Sequence, residues 1–506
     1  MRTTDRPVYA ANPLQTRSVL ETGVDQLREA VMYSVKASAR TTMAFAGLVA
    51  LTVAGGLAET SAAPAATTST PASTAQATFN RMTPAQRIGQ LFMVGGPATG
   101  LGSATLSAIS RYHVGNLILT GRTTTGAAPV RSLTSRADAL TTSTATGGVP
   151  LFIAADQEGG YVQVLQGPGF SRMPTALTQG TWPDSTLTAD AATWGRQVLR
   201  AGVDVNLAPV MDTVAASFAA RNAPIGRYAR EYGHTPAVVA DKGSAFLRGM
   251  RSTGLAMAAK HFPGLGRVTG NTDTSSAVTD TVTTRTSPDI TPFRSAVTAG
   301  AQMLMVSSAY YSRIDPSHPA VFSPTVITGM IRGDLRFAGV VVSDDLGNAR
   351  QVQQWSPGAR AINFLNAGGD IVLTVNPTAL PAMVNAVSAR AASDAAFRAR
   401  VNTAALRVLT VKAAAGLLAP RLAIDGALGP RTTTALQRWL GVTQSGHLDA
   451  ATVRALQSRI GTDADGVWGP RSMYALQSYL GASHDGASTW NARTVSLLQL
   501  YLNTQL

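Results

Sequence analysis

The chain has 506 residues, a formal net charge of +14 and no cysteine. That length supports a large core and more than one domain, and the missing thiols exclude disulfides, thiolate metal sites and cysteine nucleophiles. The basic balance points to anionic partners, but no dense Lys/Arg run with interleaved aromatics sets up nucleic-acid binding.

Thr41 to Ala58 is uncharged and rich in Ala, Leu, Val, Gly and Met. Lys36 and Arg40 precede it, and Thr60-Ser61-Ala62-Ala63-Pro64 follows. A basic flank, a short apolar run and small residues predict an export signal with an extended n-region over residues 1–63. The run is short for a membrane span, so a secreted chain without a stable membrane anchor is expected. Residues 64–78 are rich in Ala, Thr, Ser and Pro and read as a disordered linker.

From 79 to 418, short apolar runs alternate with loops and longer amphipathic stretches. The runs are Leu91–Gly96, Asn116–Gly121, Leu151–Asp156, Val203–Pro209, Leu255–His261, Met303–Ser308, Gly339–Asp345 and Asp370–Val375. Continuous apolar runs suit strands buried on both faces of a parallel sheet. Repeated β-α units of this number predict an α/β fold, a (β/α)8 TIM-like barrel. No Gly-x-Gly-x-x-Gly follows the first run, which argues against a dinucleotide fold.

A barrel gathers function at the C-terminal ends of its strands. The third run ends in Asp156-Gln157-Glu158-Gly159-Gly160, the fourth leads to Asp212, the fifth ends in Lys260-His261 and the seventh in Ser343-Asp344-Asp345. Lysine is rare here, with only Lys36, Lys242, Lys260 and Lys412, so a Lys-His pair closing an apolar strand stands out. Carboxylates beside cations suit glycoside hydrolysis. They also suit metal-assisted hydrolysis, although the six histidines lack metal-ligand spacing. Lys260 is equally suited to Schiff-base aldolase chemistry. Spacing alone leaves the three open.

Asp156-Gln-Glu-Gly-Gly160, Lys260-His-Phe-Pro-Gly264 and Val342-Ser-Asp-Asp-Leu346 occur in the order seen in glycoside hydrolase family 3. Over residues 79–418 the chain resembles its single-barrel β-N-acetylhexosaminidase branch. Asn206-Leu-Ala-Pro-Val-Met-Asp212 and Arg230-Glu-Tyr-Gly233 support the likeness; the latter resembles the family's Arg-Ser-Phe-Gly. The resemblance implies a retaining hydrolase, needing no cofactor or metal, that releases terminal β-linked N-acetylglucosamine. It implies Asp344 as nucleophile, and Asp156, Arg230, Lys260, His261 and Asp212 as residues around the sugar. A family 3 β-glucosidase and a non-catalytic glycan binder on a decayed barrel are the competing readings.

The pattern breaks after the fifth run. The family's loop carries an Asp-Ser-His triplet whose histidine donates the proton; here the triplet position reads Asp273-Thr274-Ser275, and no histidine occurs between Phe262 and Tyr311. Ser275 cannot act as a general acid near neutral pH. Asp273 is the expected replacement, with Asp280 behind it. The Gly- and Thr-rich loop is expected to be mobile and to carry Asp273 in on closure.

After Pro420, Ile424-Asp-Gly-Ala-Leu-Gly-Pro-Arg431 recurs as Ala464-Asp-Gly-Val-Trp-Gly-Pro-Arg471, with half-repeats at Ser445-Gly446 and Asp485-Gly486. Four turns, each followed by a short amphipathic helix, predict a small all-α repeat domain over 422–503. It resembles the peptidoglycan-binding-like repeats found beside cell-wall hydrolases. That likeness implies peptidoglycan or another wall polymer as partner, a cell-wall location, and Trp439, Trp468 and Trp490 as either glycan platforms or core.

Overall fold

The structure, a computed structural model, describes residues 70–418, 422 and 424–505. The predicted export signal lies outside the described residues, as does most of the predicted linker. Among the described residues no helix is long and apolar enough to cross a membrane.

The last part of the predicted linker is the first helix, α1 (Pro71–Arg81). Thr70 caps it by accepting from the Ser73 N–H, and Pro71 opens it. Ala75 and Thr78 are buried, and α1 packs against the last barrel helix, α2 (Ala395–Ala414). Composition suggested a linker, but small residues with a cap and an apolar partner are enough for a helix.

Eight parallel strands follow: β1 (Phe92–Pro97), β2 (Asn116–Thr120), β3 (Phe152–Ala155), β4 (Val205–Asn206), β5 (Ala256–Phe262), β6 (Met303–Val306), β7 (Val340–Ser343) and β8 (Val372–Thr374). Each strand lies inside or across one of the eight predicted runs. Neighbours in sequence pair in space, β1 pairs with β8, and the ring closes through the parallel bridge Val342↔Ile371. Helices separate consecutive strands. The fold is the predicted (β/α)8 barrel.

The strands are apolar on both faces because both are covered. Met93, Phe152, Ala258, Met305, Val342 and Leu373 fill the barrel interior. Phe92, Ile153, Ala259 and Leu304 belong to the separate layer under the helices. This alternation fixes the site. The next inward position after Phe152 and Ala154 is Asp156. The same step from Ala256 and Ala258 reaches Lys260, and from Val340 and Val342 it reaches Asp344. One parity rule therefore carries three polar residues to one mouth of the barrel.

The tail forms four helices: α3 (Pro430–Leu440), α4 (Ala450–Ile460), α5 (Pro470–Tyr479) and α6 (Ala492–Gln505). Leu436, Leu456, Leu476 and Leu498 meet in one core. Each helix carries a buried glutamine whose amide grips the following turn. Gln457, for example, donates to Asp465, Val467 O and Ser472 and accepts from Gly466 N at 2.8 Å. Gln499 of α6 makes the same bonds to the first turn, to Asp425 Oδ1, Ala427 O and Thr432, so the repeats close into a ring. Trp468 and Trp490 stack on each other at 4.3 Å, and Trp439 is flanked by Tyr479, Tyr501 and Arg459. All three pack against the leucine core. Their faces are taken, which favours the core role over the glycan platforms.

Candidate active site

The barrel mouth collects most of the predicted residues around a compact charge network. Lys260 is 2% exposed. Its Nζ lies 2.5 Å from Asp156 Oδ1 and 2.6 Å from Glu158 Oε1. Arg230 grips Glu158 with two parallel bonds, Nε to Oε2 at 2.9 Å and NH2 to Oε1 at 2.8 Å. Two cations thus share two carboxylates, and the paired geometry offsets their desolvation. Burial alone would raise the Glu158 carboxyl, but Arg230 and Lys260 outweigh it and hold it at about 2. Burial likewise disfavours the Lys260 ammonium, and Asp156 and Glu158 reverse that, leaving it raised.

Glu158 is the residue that motif reading passed over. It sits two residues beyond Asp156, in the short ribbon formed by Gln157–Gly159 and Val162–Gln163. The available signal was the same inward parity extended one more step. Asn206 holds that ribbon by accepting from Gln157 N and donating to Gln157 O, each at 3.0 Å.

His261 and Asp212 form a second unit. His261 Nδ1 is 2.7 Å from Asp212 Oδ2, so an ionised Asp212 fixes the Nδ1–H tautomer and leaves Nε2 for other partners. Asp212 Oδ1 also accepts from the backbone N–H groups of His261 and Leu265, at 3.2 and 2.9 Å. Asp212 is 0% exposed. The expectation that it lies against the sugar is therefore corrected: its oxygens are committed, and it orients His261 and the following loop.

Asp344 follows β7, and its backbone N–H donates to Val306 O at 3.0 Å. Its side chain is half-buried and accepts from Asp345 N at 2.8 Å. Asp345 itself is structural: it accepts from Gly347, Asn348 and Val375 N–H groups.

The loop after β5 is anchored rather than loose. Asn222 donates to Leu265 O and Val268 O, and Leu265 and Val268 are buried. Arg350 N donates to Asp273 O at 3.0 Å and Gln351 N to Thr272 O at 3.1 Å. The Gln351 side chain also accepts from Val278 N and donates to Val278 O. The loop bearing Asp273 is thereby tied to the segment that follows Asp344. This corrects the expectation of a mobile loop, because no closure is needed to bring Asp273 to the site. The residue is exposed, yet its carboxyl stands within reach of the charges of Asp344, His261, Arg230 and Asp156. Burial, then the Asp344 charge, push its carboxyl up to about 6. Asp280 is fully buried and accepts from Val282 N, Thr283 N and the Thr283 hydroxyl, so it builds a turn and is not a spare acid.

The arrangement can bind a polyhydroxylated ring through charge-assisted bonds and present Asp344 together with an Asp273 carboxyl of raised proton affinity. Among the described residues no group of His, Asp and Glu forms a cluster able to hold a metal.

Comparison with known proteins agrees with this geometry. Residues 83–411 match the model of the glycosyl hydrolase family 3 N terminal domain. A beta-hexosaminidase of Stenotrophomonas maltophilia is 35% identical over 265 residues, 51% of this chain and 76% of that protein. The crystal structure of a beta-N-acetylhexosaminidase from Beutenbergia cavernae superposes with a TM-score of 0.65 at 50% identity, covering 65% of this chain and 98% of that one. A family 3 beta-N-acetylglucosaminidase from a Paenibacillus species gives 0.60 at 26% identity, covering 68% and 64%.

Proposed function

Because this chain belongs to glycosyl hydrolase family 3, we propose that it is a retaining β-N-acetylhexosaminidase in which Asp344 is the nucleophile and Asp273 the acid/base. Asp344 attacks the anomeric carbon of a terminal β-linked N-acetylglucosamine. The glycosidic C–O bond breaks, and the leaving oxygen takes the Asp273 proton. Asp273, now ionised, removes a proton from water, which attacks the glycosyl-enzyme and frees Asp344. Asp156, Arg230, Lys260 and His261 hold the ring hydroxyls.

One observation carries this reading. The loop that bears Asp273 is tied by backbone bonds to the segment after Asp344, and burial together with the neighbouring Asp344 charge raises the Asp273 carboxyl. A raised proton affinity is what a carboxyl acting as general acid requires. The test is a mechanism-based fluoro-sugar incubated with the full chain, followed by peptide mass spectrometry. Labelling of Asp344 is expected. Labelling of another residue, or none alongside turnover, overturns the assignment.

The same proposal includes export and attachment to wall polymer. Support comes from the 1–63 pattern and from the resemblance of the tail ring to wall-binding repeats. Charge adds little, since residues 422–503 carry six arginines against five aspartates, a net +1. Insoluble peptidoglycan should retain the full chain at moderate salt and release a chain ending at Leu418. Equal retention of both removes the tether, and N-terminal sequencing of the secreted protein checks the export signal.

A further inference from the structure

Two exposed tyrosines stand side by side at the rim of the charge network. Tyr161 is 59% exposed and Tyr228 42% exposed, with ring centroids 6.0 Å apart at 64°. They come from different loops. Tyr161 sits in the turn of the ribbon that carries Glu158, and Tyr228 lies two residues before Arg230. The Arg230–Glu158 double bond joins those loops, so the pair is built on the sugar-binding network itself. Arg122 donates to the Tyr161 carbonyl oxygen and fixes the turn from a third side. Tyr161 lines a pocket of about 340 Å³ whose wall also carries Arg122 and Arg172, donors suited to ring hydroxyls, and Tyr228 packs edge-on against Tyr161.

A single exposed aromatic needs no explanation. Two rings braced edge to face from separate loops, one of them lining a pocket with two arginines, offer an exposed aromatic face of the kind that stacks against the C–H face of a pyranose. Depth decides which ring of a saccharide meets it. Lys260 and Glu158 are 2% and 3% exposed, so the terminal sugar occupies the buried end. The ring attached to it then projects outward along the same loops.

We propose that Tyr161 and Tyr228 form a stacking subsite for the leaving-group pyranose and set the preference for saccharide over simple leaving groups. This rests on the hydrolase reading above. The test uses the full chain with two substrates: the β-linked disaccharide of N-acetylglucosamine, and N-acetyl-β-glucosaminyl fluoride, whose leaving group has no ring to stack. Tyr161→Ala and Tyr228→Ala should each lower kcat/KM for the disaccharide about 3- to 10-fold. The fluoride rate should stay unchanged in both, which also reports intact folding. Tyr161→Phe should retain disaccharide activity. A parallel fall on both substrates, or no fall on either, overturns the subsite. A wild-type chain inert on both overturns the hydrolase reading, and the subsite with it.

Discussion

Two buried polar clusters organise the chain. At the barrel mouth, Lys260, Arg230, Asp156 and Glu158 share charges, and their neighbours Asp344 and Asp273 are half-buried and exposed. In the tail, Gln437, Gln457, Gln477 and Gln499 are as deeply buried, yet each spends its amide on the turn beside it. Both clusters satisfy the demand that buried polar groups be bonded. The difference lies in what is left over. The glutamines close a ring and leave no group to act, whereas the barrel network stands beside two accessible carboxyls, one of them with a raised proton affinity. Buried polarity marks a site only when some of it still faces the crevice.

The largest effect expected from that contrast is at Asp344. Asp344→Ala should lower kcat/KM for β-linked N-acetylglucosamine substrates by on the order of 10^4-fold or more, since the covalent route is lost. Circular dichroism should stay unchanged, because the side chain accepts only one local hydrogen bond. Activity that survives this substitution breaks the comparison at its catalytic end.

Asp273 comes next. Asp273→Asn should reduce disaccharide hydrolysis by about 10²- to 10⁴-fold, the range of general acid catalysis. Formation of the glycosyl-enzyme from the fluoride, which needs no protonation, should be spared, and azide should rescue turnover of Asp273→Ala by replacing the base-activated water. The proton donor must be protonated, so wild-type kcat/KM should fall as pH rises through about 6, the value to which burial and Asp344 raise this carboxyl. A flat profile from pH 5 to 8 removes Asp273 from the role.

Part of this was legible in the sequence, and physics separates the part that was not. Eight strands buried on both faces write themselves as apolar runs, and inward parity puts Asp156, Lys260 and Asp344 where local pattern can find them. The anchoring of the Asp273 loop depends on Gln351, 73 residues from Val278, and on Asn222, 43 residues from Leu265. No local pattern reports bonds of that reach, and a Gly/Thr-rich stretch looks loose without them. Asp212 misled in the opposite way: a carboxylate near a strand end looks available until the donors it already accepts from are counted. Ring closure was hidden likewise, since Gln499 meets Asp425 across 74 residues.

At the architectural end, Gln457→Ala should cost roughly 1–3 kcal/mol, because it removes a buried amide that bonds four groups of the next turn. Catalysis should be untouched. Thermal unfolding of the wild type and variant, followed by tryptophan fluorescence, checks the first; the disaccharide assay checks the second. A catalytic defect would mean that the ring does more than hold its own shape.

Glu231 tests the comparison where it is least comfortable. It adjoins Arg230, is 0% exposed, and neither of its oxygens has a hydrogen-bond partner; the His234 ring nitrogen is 3.8 Å away. Burial raises its carboxyl above the ordinary range, outweighing its own backbone N–H and the His234 and Arg230 charges, with the Asp212 charge adding to the rise. In the unfolded chain the same group has a pKa of about 4.3. The fold therefore binds this proton more tightly, and stability drains away as pH climbs from the unfolded value through the folded one. Glu231→Gln deletes that slope. Measured by denaturant unfolding, the variant should keep a constant offset from the wild type below pH 4 and gain on it steadily above. Should the two curves run parallel from pH 4 to 8, the carboxyl ionises as easily inside the fold as outside, and its burial is not the source of the raised proton affinity.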